Sequence, residues 1–268
     1  EFAAKALTRS VSRDNVEVVT LPVECYARQR ASLPKLGKYD GIVVFAAGSG
    51  IPWLVREMTD APIVVAHPSD MDMSRHFDCI DRDYLGAPRQ VLEHFRELGY
   101  DRIGVMGGSP DSRNHHVRLE GTLAAVNELG LTVKPEWIVN GWFLGEKTYA
   151  VALDLLRRSD RPRAIFAFSD TMAAGVIRAA HELDLAIPQD VAVAGFDGIP
   201  FAEDLTPPLT SYYTDPAEMA QRIYEVLKAR VTDPEAPLRN EVVKGRVIVR
   251  QSTDVRAGET NAQEETSA

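Results

Sequence analysis

Short apolar runs alternate with amphipathic stretches along nearly the whole chain, and the two kinds of stretch have different periods. Runs rich in β-branched and other apolar residues read as buried strands: VEVVTL (16–21), GIVVFAA (41–47), PIVVAH (62–67), RIGVMGG (102–108), WIVNG (137–141), AIFAFSD (164–170) and VAVAGFD (191–197). Between them lie helical patterns around 27–34, 50–59, 84–99, 113–129, 145–158, 171–184 and 215–231, the last with Pro216 in its first turn. Such alternation predicts βαβ units and mostly parallel sheets, with right-handed crossovers stacking helices on both faces.

One repetition divides the series. The helical stretch GAPRQVLEHFRELGYD reaches Gly99, a C-cap signal, and a fresh βα series starts at Arg102. The expected architecture is α/β, with two similar Rossmann-like lobes. After Pro207-Pro208 and the helix at 215–231, the stretch EVVKGRVIVRQST (241–253) reads as one or two late strands. Late elements must complete sheets begun earlier, so the chain is expected to cross between lobes more than once. The expected division is 1–98 plus about 215–240 for the first lobe and 99–214 plus about 241–253 for the second. A polar tail (254–268) without aromatics is expected to be disordered. The opening EFAAKALTRSVSRD reads as an amphipathic helix with Phe2, Ala6 and Val11 on one side.

Bulk properties narrow the function classes. A chain of 268 residues with net charge -9 argues against holding nucleic acid by its own surface, which needs clustered Lys and Arg. Cys25 and Cys79 show neither disulfide nor metal-ligand spacing. The sequence carries no secretory-signal pattern and no run long enough for a membrane span, so a cytoplasmic protein without membrane contact is expected.

Chemistry is expected at strand ends. Ser169 with Asp170, and Asp197, would stand at the carboxyl edge of a parallel sheet, where open α/β folds bind small ligands. A nucleophile elbow at AAGSGI (46–51) fails because Ala47 occupies the position that needs Gly, and Gly48-Ser49-Gly50 lacks both the Walker Lys and the dinucleotide spacing. The crowded Asp and His residues of 69–83 (Asp70, Asp72, His76, Asp78, Asp81, Asp83) depart from a calcium loop at its sixth and twelfth positions, where Arg75 and Asp81 stand. That stretch reads as a solvated loop, except that Asp83 either caps the helix after it or faces a cleft.

Adjacent His115 and His116 diverge on a helix and cannot chelate one ion together. Arg118 lies in the first turns of a helix after RIGVMGG; it either reaches back to hold hydroxyls, a carboxylate or a phosphate, or makes a surface ion pair. Trp142 and Phe143 come directly after the strand WIVNG, where one would suit stacking on a sugar ring or a base and the other the core. No nucleophile, base and orienter converge, so an enzyme is not expected, nor a metal or cofactor.

Together the motifs carry a resemblance. The segment AIFAFSDTMAAGVIRAAHELDLAIPQDVAVAGFDGIPFAEDLTPPLTS closely resembles the effector-binding core of the LacI/GalR transcription regulators. LGYDRIGVMGG, VRLEGTLAAVNELGL and VRQST resemble further motifs of that family, so the likeness spans about residues 1–253. It implies a fold like that of periplasmic sugar-binding proteins, a ligand cleft between lobes, and a homodimer whose DNA-binding heads respond to a sugar-like effector. By position, the ligand-clamping Arg falls on Arg118 and the Asp after G-F/Y on Asp197. The stacking aromatic falls on Phe143, with Trp142 one residue out of register. Polar ligand contacts fall on Ser112 and Asn114, and a contact from the first lobe on Asp83. Ser169 departs from the family's Asn and would make the ligand unusual there. The family's helix-turn-helix, through which operator DNA is bound, has no counterpart in this sequence. A solute-binding protein that feeds a sugar transporter is the alternative reading, and a secretory signal would be its mark.

Overall fold

In the computed structural model the described residues are Leu7, 17–19, 36–45, 50–68 and 71–254. The opening helix, the helix at 27–34, most of the strand at 16–21, Gly48-Ser49 and the tail beyond residue 254 lie outside them. The chain separates into two compact units, Glu1–Arg82 with Thr214–Lys244, and Asp83–Tyr213 with Gly245–Ala268. It passes between them three times.

Among the described residues the first unit holds a four-stranded sheet of β1 (Ile42–Phe45), β2 (Ile63–Ala66), β3 (Asp78–Arg82) and β9 (Asn240–Val243), in that spatial order and parallel throughout. Alternation along β2 explains its uniform burial. Val64 and Ala66 join Ile80, Val243 and the apolar face of α6 (Pro216–Thr232), while Ile63 and Val65 join Val44, Phe77 and Cys79 on the other face, with α1 (Ile51–Arg56). A strand covered on both faces reads as a continuous apolar run. The late strand is set in place by a buried ion pair. Arg230 on α6 gives Nε to Asp78 Oδ2 at 2.7 Å and Nη2 to Asp78 Oδ1 at 3.0 Å, and it also donates to the carbonyls of Pro234, Ala236 and Pro237. Asp78 Oδ1 accepts the Arg239 N–H at 2.8 Å, which brings β9 beside β3.

The second unit is a six-stranded sheet. Its spatial order is β10 (Arg246–Ile248), β8 (Thr210–Tyr213), β7 (Ala192–Asp197), β6 (Ala164–Ala167), β4 (Ile103–Gly107) and β5 (Ile138–Asn140). Only the β10–β8 pair is antiparallel. Helices α2 (Ala87–Glu97), α3 (Arg113–Leu129), α4 (Gly145–Leu156) and α5 (Asp170–Glu182) pack on it. From β4 the chain moves outward to β5, then returns to β6 on the other side, so the strand order reverses between β4 and β6. In doubly wound sheets ligands bind outside the carboxyl ends of strands at such a reversal.

Three expectations need correction. The first lobe ends at Arg82 and not near residue 98, because Ala87, Val91, Leu92 and Phe95 of α2 bury themselves in the core of the second unit. Residues 241–244, expected in the second lobe, belong to the first, because β9 pairs with β3. Finally, residues 210–213, absent from the expected strands, form β8, which lies between β7 and β10.

Candidate ligand-binding site

The carboxyl ends of β6 and β7 converge on Arg118. This residue stands in the second turn of α3, whose end is fixed by left-handed Gly130 with φ 67°. It is 4 % exposed, and its Nη1 donates to the Phe168 carbonyl just past β6. Aromatic rings collar the guanidinium: Phe196 at 4.1 Å, Tyr84 at 4.6 Å, Phe168 at 5.6 Å and Phe143 at 5.9 Å from their centroids. Each such contact is worth about 0.5–2 kcal/mol, the larger value where water is excluded. Tyr84, Phe196 and Tyr212 stack in series, with centroid separations of 5.6 Å and 5.3 Å.

Two glycines make this approach possible. Gly121 lies three residues after Arg118 on the same helical face, and a Cβ there would collide with the Leu85 carbonyl. The Tyr84–Leu85 backbone can therefore lie against α3 and bring the Tyr84 ring to Arg118. Likewise, a Cβ on Gly108 would fall within the Phe143 ring.

Trp142 and Phe143 both adopt positive φ, 60° and 58°, in the turn from β5 to α4. Phe143 packs on the core beside Arg118, whereas Trp142 is 43 % exposed with the Lys147 ammonium 4.9 Å from its ring. Ser112 is the N-cap residue of α3 without a side-chain capping bond, and half-buried Asn114 accepts from Arg113 Nη1 at 3.4 Å.

Ser169 caps α5, its Oγ accepting the Met172 N–H at 3.2 Å. That leaves its hydroxyl proton to donate elsewhere. Asp83, expected as a contact from the first lobe, instead opens the second unit, and its Oδ1 accepts the Gly86 N–H at 2.7 Å in the turn before α2, whose N-cap is Gly86. His115 is buried against Phe168, and burial, then His116 and Arg118, holds its pKa below the ordinary value.

A second polar cluster occupies the ends of β6, β7 and β8. Asp197 closes β7 with φ 119°. Asp170, fully buried at the start of α5, accepts from Ser211 Oγ at 2.5 Å and from the Ile199 N–H at 2.8 Å. Its carboxyl is pushed up to about 7, first by burial and further by Asp197, against the opposing effect of Ser211 and the Ile199 and Gly198 amides. Among the described residues, no group of three or more His, Cys, Asp or Glu side chains is placed to hold a metal ion.

The structure thus gathers Arg118 and Phe143 directly, with Ser169 and Asp197 each one residue from a collar ring; Trp142 stays outside. Sequence reasoning missed Tyr84, Phe168 and Phe196 as the collar and Ser211 as the partner of Asp170. The available signal was positional, since Phe168 and Phe196 each precede a residue already singled out at a strand end.

A doubly wound six-stranded sheet with a buried cationic side chain at its reversal point has the arrangement of open α/β sheets, whose ligands bind at such a place. Residues 92–253 match the model of the periplasmic binding protein-like domain. The chain belongs to the LacI/GalR regulators, as their effector-binding part. It is 30 % identical over 229 residues to the HTH-type transcriptional repressor PurR of Salmonella paratyphi B, covering 84 % of this chain and 67 % of that protein. It is 31 % identical over 220 residues to PurR of Photobacterium profundum, covering 80 % of this chain and 64 % of that one. The chain therefore spans less than two thirds of the latter relative. A LacI-family regulatory protein from Chloroflexus aggregans is similar in structure, with a TM-score of 0.80 at 29 % identity, covering 94 % and 91 % of the two chains. A sugar-binding LacI-family regulator from Escherichia coli, complexed with phosphate, reaches a TM-score of 0.67 at 25 % identity, covering 80 % and 76 %. Transcriptional repressors of this kind are not enzymes. Among the described residues, no helix is long and apolar enough to cross a membrane.

Proposed function

We propose that this chain binds a small polar, sugar-like effector at the carboxyl edge of the second unit's sheet and thereby sets the operator affinity of a LacI-type repressor, acting as a homodimer. The observation that carries this reading is Arg118 itself: a guanidinium at the strand-order reversal, collared by aromatic rings, with Phe143 alongside. Arg118 and Asp197 suit vicinal hydroxyls, one as donor and the other as acceptor. Phe143 offers a ring face, and Ser112, Asn114, Ser169, Asp83 and the exposed Trp142 complete the expected contacts. The sugar-binding description of the Escherichia coli regulator supports this class of ligand. An effector changes operator binding only if it binds one arrangement of the protein better than the other, a coupling of about 1–3 kcal/mol in typical cases.

The test begins with a thermal-shift panel of sugars, sugar phosphates and nucleosides. Hits are then measured by calorimetry against Arg118→Met, which keeps the volume of the buried stem while removing the charge. Loss of binding is expected. Undiminished affinity overturns the role of Arg118, and a response confined to nucleosides overturns the sugar assignment.

A further inference from the structure

Asp197 holds a backbone conformation that a side-chain-bearing residue rarely adopts, with φ 119°, and Gly198 follows it at φ 62°. Such a geometry persists only where its surroundings impose it. Here one carboxylate holds the two residues that follow Asp197. Asp170 Oδ2 accepts the Ile199 N–H at 2.8 Å, and Oδ1 accepts the Ser211 hydroxyl at 2.5 Å. Ser211 Oγ in turn accepts the Gly198 N–H at 3.0 Å. Both amides after Asp197 are therefore tied, directly or through one hydroxyl, to a side chain on a different element that is itself 0 % exposed.

We propose that Asp170 is the positioning residue of the effector site: through Ile199, Ser211 and Gly198 it fixes the turn after β7 and so holds Asp197 at the sheet edge in its left-handed backbone conformation. The proposal rests on Asp197 being an effector contact, as proposed above, and adds the residue that keeps it in place. Three elements supply the groups facing Asp170: β7 contributes the charge of Asp197, β8 the Ser211 hydroxyl, and the turn its two amides. Burial with a second carboxylate nearby brings the Asp170 proton into the neutral range, so the strength of this acceptor changes across ordinary working pH.

Residue-resolved amide hydrogen exchange on the ligand-free chain tests this. Asp170→Asn keeps the size but loses the charge and one acceptor. It is expected to speed exchange at Ile199 by about tenfold or more, while Ala173, which donates to Ser169 within α5, stays protected. Ser211→Ala is expected to expose Gly198 selectively. In the unmodified chain, protection at Ile199, corrected for intrinsic exchange, is expected to rise through neutral pH as the carboxylate forms, and Asp170→Asn to abolish that rise. Unchanged protection at 198–199 in Asp170→Asn overturns the proposal, as does a loss spread evenly over β7 and α5. If Asp170→Asn does not fold, Ser211→Ala and the pH profile of the unmodified chain decide it, and a flat profile overturns it. Exchange is read without effector, so failure here is separate from failure of the effector panel, which would remove Asp197's role as a contact and leave the turn's exchange behaviour as measured.

Discussion

Protonation of Asp170 also enters the stability of the chain. Its carboxyl is displaced from an ordinary 3.8 up to about 7, so the folded state holds this proton more tightly than the unfolded state does. The contribution is present in full below the unfolded value, declines as pH rises from there through about 7, and is constant above; it amounts to about 4 kcal/mol. Urea midpoints measured between pH 4 and 8 are expected to fall with rising pH more steeply for the unmodified chain than for Asp170→Asn. Parallel profiles would refute the assignment. This carboxyl was visible in sequence only as a neighbour of Ser169 at a strand end. Its hydrogen-bond partner Ser211 stands more than forty residues later, in a stretch not expected to form a strand, and nothing local announces that pairing. Arg118 shows the same limit. Its place in an early helical turn was legible, whereas the Tyr84 ring reaches it only because Gly121 admits the Leu85 carbonyl. Gly121→Ala is expected to weaken effector binding and to lower stability by about 1–3 kcal/mol through this overpacking, read by calorimetry and denaturant titration.

At the level of elements, periodicity served best where both ends carried signals. Helix α3 spans 113–129 as expected, bounded by the polar loop before it and Gly130 after it. Strand β8 was lost because PPLTS is short, begins with two prolines and lacks alternation. Its identity is set by partners distant in sequence. Ser252 of the VRQST stretch donates to the Val193 carbonyl at 2.6 Å and accepts the Thr210 N–H at 2.8 Å, while its own N–H donates to Pro208 O at 2.9 Å. Arg250 adds a bond to Leu209 O at 2.7 Å. The PPLT and R-x-S-T signatures, far apart in the chain, are thus two sides of one contact that ties 250–253 to β7 and β8. Ser252→Ala removes a buried hydroxyl that both donates and accepts, and a loss of about 2 kcal/mol in denaturant titration is expected.

At the scale of the whole molecule, the restart of the βα series after Gly99 and the late strands were enough to indicate two sheets and repeated crossing, but not where the crossings fall. Helix α2 follows β3 directly, and only its burial against the second core assigns it there. Each unit has its own buried polar anchor. In the first, Asp78 and Arg230 are 2 % and 11 % exposed. Arg230→Met would leave the Asp78 carboxylate buried without its counter-ion, at a cost of about 3–5 kcal/mol. Exchange mass spectrometry should show accelerated exchange in β3 and β9 while β6 and β7 keep their protection. Net charge acts over the same scale. With -9 overall, this chain is expected to give no sequence-specific shift of operator DNA in a gel at physiological salt.

The pairing of β10 with β8 has a consequence for how the second unit is made. A ribosome delivers β4 through β8 first, and then α6 and β9, which belong to the first unit, before Arg246–Ile248 emerges. During that interval β8 is an exposed sheet edge with bare amides and carbonyls, the kind of surface on which nascent chains pair wrongly. The vulnerable moment in this protein's biogenesis therefore comes late, and it closes when 246–253 lies down along β8 and β7.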